Sequence, residues 1–262
     1  MEIEPYDDRP PRSDTDDFLE RLKVRRLDTD IDTGWCHAGA PLRAFGGQVA
    51  AQALVAAAAT IPDAERHVHS LHGYFLRPGR TTDHIVYLVD RLREGRSFAT
   101  RRTRATQFGE TIFAMSASFA PGQAGPAHQR DCFPSGDGTV CAPPWWTGVP
   151  PADDIPDERI LDHIAFPTDV DEATRAQMLI DAGYPERQNI DMRVIDPGEA
   201  LQLSQGRFDR MVWMRTRQAL PEENTVHVCA LAYFSDLLLV STVTGHHGGR
   251  RGATDYDIAS ID

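Results

Sequence analysis

The chain has 262 residues, of which 41% are hydrophobic, 25% charged and 8% aromatic. These are the proportions of a globular protein with a buried core, and they exclude wholesale disorder, a collagen helix and a coiled coil. The 27 lysines and arginines are outnumbered by 39 aspartates and glutamates, which gives a net charge of -12. Since non-specific affinity for nucleic acid comes from an excess of cations, this balance argues against a nucleic acid as the main partner.

The N-terminus is acidic and contains prolines, and it lacks the basic start and apolar core of a signal peptide. The sequence has no run of about 18 apolar residues that could cross a membrane. Its four cysteines show no CxxC spacing and are too scattered for a disulfide framework, which favours a reducing compartment. We therefore predict a cytoplasmic protein without membrane insertion, in which residues 1–17 are a mobile acidic tail.

The first half of the chain predicts one helix followed by antiparallel strands. Residues 46–59 (GGQVAAQALVAAAA) begin with two glycines and consist mainly of small helix-forming residues, which predicts a helix that packs unusually close to its neighbours. Four runs rich in β-branched and aromatic residues, separated by glycine-containing turns, follow at residues 69–79, 84–93, 97–108 and 111–120. This order indicates a sheet wrapped around a central helix.

The second half repeats the order after a connection. Residues 121–156 are rich in proline, glycine, aspartate and alanine, and residues 157–185 are weakly helical. Strand character returns between residues 191 and 217, and residues 225–243 form a second long helical pattern. A second unit of the same type is therefore predicted.

Each unit has a serine in a strand-like context about 22 to 24 residues after its central helix. The two units can be aligned on this serine, which is Ser70 in the first and Ser260 in the second. In this alignment Gln48 and Gln52, on one face of the first helix, take a position comparable to Asp236 on the second. The two glutamines are interpreted either as replacements for the acid or as ordinary polar residues at a helix start.

Asp236 is the strongest catalytic candidate in the sequence. Its neighbours one helical turn away are Ala232, Tyr233, Leu239 and Val240, so a carboxylate lies on an apolar helix face. Burying a carboxylate is costly unless partners are supplied, and perturbed acids cluster at active sites. The pattern indicates a general base or a water-orienting carboxylate in a dry pocket. The alternative is an aspartate at a helix end or facing solvent.

A basic stretch between residues 91 and 104 contains six arginines in a chain that is acidic overall. Strand alternation places Arg102 and Arg104 on one face. Because guanidinium groups match phosphate oxygens, Arg96, Arg102 and Arg104 are candidates for anchoring a polyphosphate ligand. The alternative is a solvated hairpin surface.

Other chemistries lack the residues they need. The sequence GRSFA at 95–99 misses the last position of the GxSxG nucleophile motif, and neither a GxGxxG nor a Walker motif occurs in a suitable context. The histidines show no convincing zinc geometry. We therefore expect neither a metal nor a cofactor.

Six segments together resemble the acyl-coenzyme A thioesterase II family. They are FGGQ at 45–48, HSLHGYFLRPG at 69–79, RLREGRSF at 91–98, IFAMSASF at 112–119, LAYFSD at 231–236 and IASID at 258–262. The resemblance implies an α+β double hotdog, in which two antiparallel sheets each wrap a central helix. The implied divisions are an N-terminal hotdog at 18–120, a connection with a weak helix at 121–188 and a partial C-terminal hotdog at 189–262.

The resemblance also implies an activity, the hydrolysis of acyl-CoA to free fatty acid and CoA. The family positions the attacking water with an aspartate, a threonine or serine, and a glutamine, which correspond here to Asp236, to Ser260 and to a position beyond Asp262. Backbone N–H groups at a helix N-terminus would polarise the thioester carbonyl. Acyl-CoA and further copies of the chain are the implied partners. The second hotdog is expected to be C-terminally incomplete, with reduced activity of the chain as given.

Two other functions compete with this one. A hotdog enoyl-thioester hydratase needs a paired aspartate and histidine, whereas His227 lies nine residues from Asp236. An acyl-CoA binding or scaffold fragment of the same fold would bind the substrate without turnover.

Overall fold

The structure is a computed structural model, and it describes residues 17–36, 43–62, 66–126, 133–134, 140–141, 151–155, 189–194 and 212–239. The predicted acidic tail up to residue 16, the predicted weak helix at 157–185 and Ser260 lie outside these residues. The predicted bounds of the two hotdogs stay a prediction.

The first half forms a six-stranded antiparallel sheet with the strand order β1-β2-β4-β5-β6-β3. The strands are β1 (Val24–Asp28), β2 (Ile31–Gly34), β3 (Arg66–Phe75), β4 (Ile85–Glu94), β5 (Ala99–Gln107) and β6 (Glu110–Pro121). The four longer strands confirm the predicted strand runs. β4, β5 and β6 pair in chain order as a meander does, whereas β3 pairs with β6, so a meander of all four strands is wrong. β1 and β2 were not predicted, because β1 (VRRLD) is a short, charged edge strand that lacks the apolar alternation of a half-buried strand.

A two-residue turn joins β5 to β6. Phe108 and Gly109 have φ values of 52° and 80°, so both residues lie in the left-handed region that hairpin turns of this length require. Glycine adopts this conformation without steric cost. The turn, together with a bulge at Ile112 that shifts the pairing by one residue, sets the register in which Arg102 lies opposite Ser116.

The central helix α2 (Gly46–Ala58) lies against one face of this sheet, as predicted from its alanine content. Alternate residues of β5 are buried beneath it, and the Thr103 hydroxyl donates to the carbonyl of Ala53 at 3.3 Å. Such a contact between a strand side chain and a helix carbonyl requires small helix residues at the interface. Most of α2 is therefore buried, including both of its glutamines.

Gln48 and Gln52 have a structural role: they bind the backbone segments that pack around α2. Both amide groups donate to the carbonyls of Arg21 and Trp35, at distances between 2.9 and 3.1 Å. The hydroxyl of Tyr87 donates to Gln52 Oε1 at 2.7 Å. These bonds satisfy backbone carbonyls that would otherwise be buried without partners.

A short helix, α1 (Phe18–Leu22), belongs to the first half of the chain and is hydrogen-bonded to a residue of the second half. Its N-cap is Asp17, whose carboxylate accepts from the amide of Leu19 and from Nε2 of Gln218, both at 2.8 Å. The amide of Phe18 donates to Oε1 of the same glutamine at 2.8 Å. The start of α1 is therefore fixed to the segment that precedes the second long helix.

In the second half, the described residues form two short strand pairs and the helix α3 (Asn224–Ser235). β7 (Phe133–Pro134) pairs with β8 (Val140–Cys141), and β9 (Ile190–Val194) pairs with β10 (Val212–Thr216). A 3-10 turn occupies Ala152–Asp154. None of the helices within the described ranges is long and apolar enough to span a membrane.

The prediction of one continuous helix over residues 225–243 is wrong at residues 236–238, which are not helical, and residues 240–243 lie outside the described residues. α3 ends at Ser235, the amide of Leu237 closes a tight last turn on the carbonyl of Phe234 (2.9 Å), and Leu238 has a φ of 65°. The apolar run continues past the helix end, so hydrophobic periodicity could not locate the stop. Asp236 is therefore the C-cap of α3, whereas Gln48 lies in the first turn of α2, and their predicted equivalence is wrong.

Candidate active site

The carboxylate of Asp236 lies at the N-terminus of α2. Its Oδ2 accepts the backbone N–H of Gly47 at 2.9 Å. The first amides of a helix have no acceptor within the helix, and the helix dipole makes this end a favourable place for negative charge. The C-terminal end of α3, to which Asp236 belongs, has the opposite polarity. The carboxylate is thus placed between the negative end of one helix and the positive end of another.

Two glycines make this approach possible. A Cβ on Gly47 would lie 2.3 Å from the carbonyl oxygen of Tyr233, a backbone atom of α3. A Cβ on Gly46 would lie 2.7 Å from Oδ2 of Asp236 and 2.9 Å from the ring of Phe75. Real Cβ atoms do not approach other atoms this closely. Alanine at position 47 would therefore force the two helices apart, whereas alanine at position 46 would displace the side chains of Asp236 and Phe75.

Aromatic rings surround the junction. Phe75 packs on Phe113 with ring centroids 4.7 Å apart, and Tyr233 packs between Phe45 (4.9 Å) and Phe18 (5.1 Å). Asp236 itself is half-buried. Low-polarity walls strengthen the electrostatic interactions of a partly buried carboxylate, and they provide surface that an apolar substrate chain could contact.

The predicted arginines are not next to Asp236. Arg102 and Arg104 alternate with the β5 residues that face α2, so they lie on the opposite face of the sheet. Arg96 lies in the turn between β4 and β5. Their assignment to substrate stays a prediction.

Arg101, in the same basic stretch, has a structural role that its sequence did not reveal. It is fully buried, donates to the hydroxyl of Thr60 at 2.6 Å and to the carbonyl of Arg93 at 2.9 Å, and pairs with Glu94. The Arg101 guanidinium beside Glu94 holds the pKa of that carboxyl below its usual value. Through its bond to Thr60, Arg101 connects the C-terminal end of α2 to the β4–β5 hairpin.

The buried cysteines and His227 do not add a second site in the described ranges. Burial raises the pKa of Cys36 and of Cys229 to about 12, so both thiols stay protonated and unreactive at neutral pH. His227 Nε2 donates to the carbonyl of Pro221 (2.8 Å) and lies about 13 Å along α3 from Asp236. No group of three His, Cys, Asp or Glu side chains among these residues is arranged to hold a metal ion.

The sequence did not identify Gly46, Gly47 or Phe75 as site residues. The only signal was the pair of glycines before an alanine-rich helix, which indicated a close contact without saying with what. The partner of that contact lies 189 residues away.

Comparison with known proteins gives matches to both halves of the chain. A model of the acyl-CoA thioesterase N-terminal domain matches residues 31–120, and a model of acyl-CoA thioesterase matches residues 185–262. Human acyl-coenzyme A thioesterase 8 is 31% identical over 228 residues, which are 86% of this chain and 66% of the human protein. Acyl-CoA thioesterase 2 of Haemophilus influenzae is 30% identical over 248 residues, 94% of this chain and 78% of that protein.

A solved structure is similar over the same extent. The crystal structure of an acyl-CoA thioesterase II from Mycobacterium marinum superposes with a TM-score of 0.62 at 35% identity, and covers 87% of this chain and 71% of that one. The chain thus spans about two thirds of the human relative and somewhat more of the bacterial ones.

Proposed function

Because the chain belongs to the acyl-CoA thioesterase II family, we propose that it hydrolyses acyl-CoA thioesters to a free carboxylic acid and CoA. The observation that carries this proposal is the bond between the Asp236 carboxylate and the Gly47 amide. It puts an acceptor for a water proton beside the N-terminus of α2, where the Gly46 N–H and the helix dipole could stabilise an oxyanion.

The reaction requires a water to attack the thioester carbonyl. The Gly47 N–H fixes one oxygen of Asp236, so the orientation of the whole carboxylate is set before substrate binds. Asp236 would accept a proton from the water as its oxygen bonds to the carbonyl carbon. The Ser260 hydroxyl, assigned from the family resemblance, would hold the same water.

The tetrahedral intermediate carries its negative charge on the former carbonyl oxygen. The positive dipole end of α2 and the Gly46 N–H would stabilise this charge. The Gly47 N–H is already bonded to Asp236, and the next two amides donate to the carbonyl of Phe45. The Gly46–Gly47 pair leaves room for substrate to approach the backbone. Collapse of the intermediate breaks the carbon–sulfur bond. The proton held by Asp236 then passes to the sulfur of CoA, which restores the carboxylate.

The test is release of free CoA thiol from a series of saturated acyl-CoA esters by the 262-residue chain. Asp236→Asn keeps the size of the side chain but cannot accept the proton, so we expect kcat to fall by about 10²- to 10⁴-fold. Asp28→Asn, an exposed aspartate on β1, is the matched control and should retain full activity. An unchanged rate in Asp236→Asn would remove this residue from the mechanism, and acyl-CoA binding without turnover in the unmodified chain would favour a binding protein.

A further inference from the structure

Two arginines lie opposite each other beside the N-terminus of α2. Arg43 and Arg80 form an isolated antiparallel bridge between the segment leading into α2 and the 76–84 loop, which joins β3 to β4. The amide of Ala44 donates to the carbonyl of Gly79 at 2.9 Å. Residues opposite each other in such a bridge present their side chains on the same side, with Cβ atoms about 5 Å apart. The Cβ atoms of these two cationic side chains are therefore close neighbours.

This pairing of like charges is unfavourable by itself. Both arginines are exposed, and no carboxylate in the described part of the chain forms an ion pair with either. Two acidic side chains on adjoining segments have other partners. Glu110 pairs with Arg77 at 3.1 Å, and Asp83 accepts from the hydroxyl of Thr82 at 2.6 Å. An anion bound between the two guanidinium groups would remove the repulsion.

The fold positions Arg80 with a dedicated buried side chain. Oε1 of Gln107 accepts the amide of Arg80 at 2.8 Å, and Nε2 donates to the carbonyls of Arg80 and Asp83, both at 2.9 Å. The guanidinium carbon of Arg80 lies 5.6 Å from the ring centroid of Phe108. A cation held over an aromatic face keeps its charge, so the loop presents an ordered cation before any ligand binds.

The pair is close to the candidate active site and on the same end of α2. Arg43 precedes Gly46 by three residues, so their Cα atoms are at most about 11 Å apart. By contrast, Arg102 and Arg104 face away from α2 across the sheet.

Resting on the proposed function, we propose that Arg43 and Arg80 bind the phosphate groups at the nucleotide end of CoA. Two guanidinium groups can form paired hydrogen bonds to phosphate oxygens, and the pantetheine arm would connect these phosphates to the thioester at Asp236. Gln107 is a positioning residue in this arrangement, since it acts through the loop that carries Arg80.

The experiment compares acyl-CoA with the corresponding acyl-pantetheine, which lacks the nucleotide and its phosphates. We expect Arg43→Gln and Arg80→Gln each to raise KM for acyl-CoA about tenfold or more, because a charge-assisted hydrogen bond is lost. The kcat for acyl-CoA and the KM for acyl-pantetheine should change by less than about twofold. Lys23→Gln, which removes an exposed cation paired with Glu20, is the charge-matched control and should have wild-type KM.

Calorimetric binding of CoA itself separates this proposal from the proposed function. If the unmodified chain binds CoA and both arginine variants lose binding, the phosphate site is supported even if no hydrolysis is detected. If acyl-CoA is hydrolysed but the variants bind CoA normally, the site is overturned and the function stands. Loss of CoA binding in Arg102→Gln or Arg104→Gln, with normal binding in the Arg43 and Arg80 variants, would transfer the site to the outer face of the sheet. Absence of CoA binding by the unmodified chain would also overturn it.

Discussion

Asp236 Oδ2 and the Gly47 N–H are 2.9 Å apart, and this bond joins the C-terminal end of α3 to the N-terminal end of α2. The two residues belong to different halves of the chain. A carboxylate at the end of its own helix is in an unfavourable field, and the amide of the second helix compensates for it. The catalytic candidate and the helix junction are therefore a single structural feature, and substitutions at the junction should affect stability and activity in separable ways.

Substitution of Gly47 by alanine should destabilise the protein. The added Cβ would lie 2.3 Å from the carbonyl oxygen of Tyr233, and because this is a backbone atom, relief requires α2 and α3 to move apart. We expect the free energy of unfolding to fall by about 1–3 kcal/mol, as for other overpacked sites. Urea denaturation measures this effect. Gly125→Ala, at a position with no atom within 4 Å of the new Cβ, is the control and should leave the midpoint unchanged.

Substitution of Gly46 by alanine should reduce turnover more than stability. Its Cβ would meet the Asp236 carboxylate at 2.7 Å and the edge of the Phe75 ring at 2.9 Å. Both are side chains that can rotate, so the fold accommodates the methyl group by displacing the carboxylate. Displacement of a catalytic group by about 1 Å can reduce the rate by about 10²-fold. Steady-state kinetics beside thermal denaturation would test this, and a fully active Gly46→Ala variant would contradict it.

The buried hydroxyl of Tyr87 should contribute measurably to stability. It donates to Gln52 Oε1 at 2.7 Å, and the Tyr87 side chain is fully buried. Tyr87→Phe would leave that oxygen without its donor, at an expected cost of about 1–3 kcal/mol in the free energy of unfolding. Tyr74→Phe, on an exposed side chain of β3, provides the comparison and should change it by less than about 0.5 kcal/mol. Equal effects in both variants would show that the Gln52 contact is not responsible.

The ion pair between Glu94 and Arg101 should make stability depend on acid pH. Arg101 hydrogen bonds to Glu94 and holds the pKa of this carboxyl below its ordinary value of 4.5. A depressed folded-state pKa stabilises the protein above the unfolded-state value, and the contribution is lost as the pH falls through the folded-state value. The free-energy difference between the unmodified chain and Glu94→Gln should therefore be largest at neutral pH and shrink below about pH 4.5.

Urea denaturation at several pH values measures this difference. Glu94 is about half exposed, so added salt should also reduce it. Glu222→Gln, which removes an exposed carboxylate before α3, is the control variant measured at each pH. A Glu94→Gln difference that grows on acidification would have the wrong sign for this ion pair.

Much of the fold could be predicted because its signals are local. The alanine-rich helix α2 and the four long strands follow from residue composition, alternation and turn glycines within short windows. Asp236 stood out because a charge within an apolar run is visible in the sequence itself. The end of α3 could not be predicted, because the apolar run passes through it. The helix stops at Ser235, and Leu238 beyond it has a left-handed backbone conformation.

The roles of the other polar side chains were decided only by tertiary structure. Gln48 and Gln52 proved to bind carbonyls of Arg21 and Trp35, and the pairing of Arg43 with Arg80 joins segments 37 residues apart. Strand register and helix packing determine such contacts, and both depend on residues distant in the chain. The sequence by itself determined which elements form and which carboxylate is unusual. The packing of α3 on α2 decided what that carboxylate faces, because only in the folded chain do the two helix ends meet.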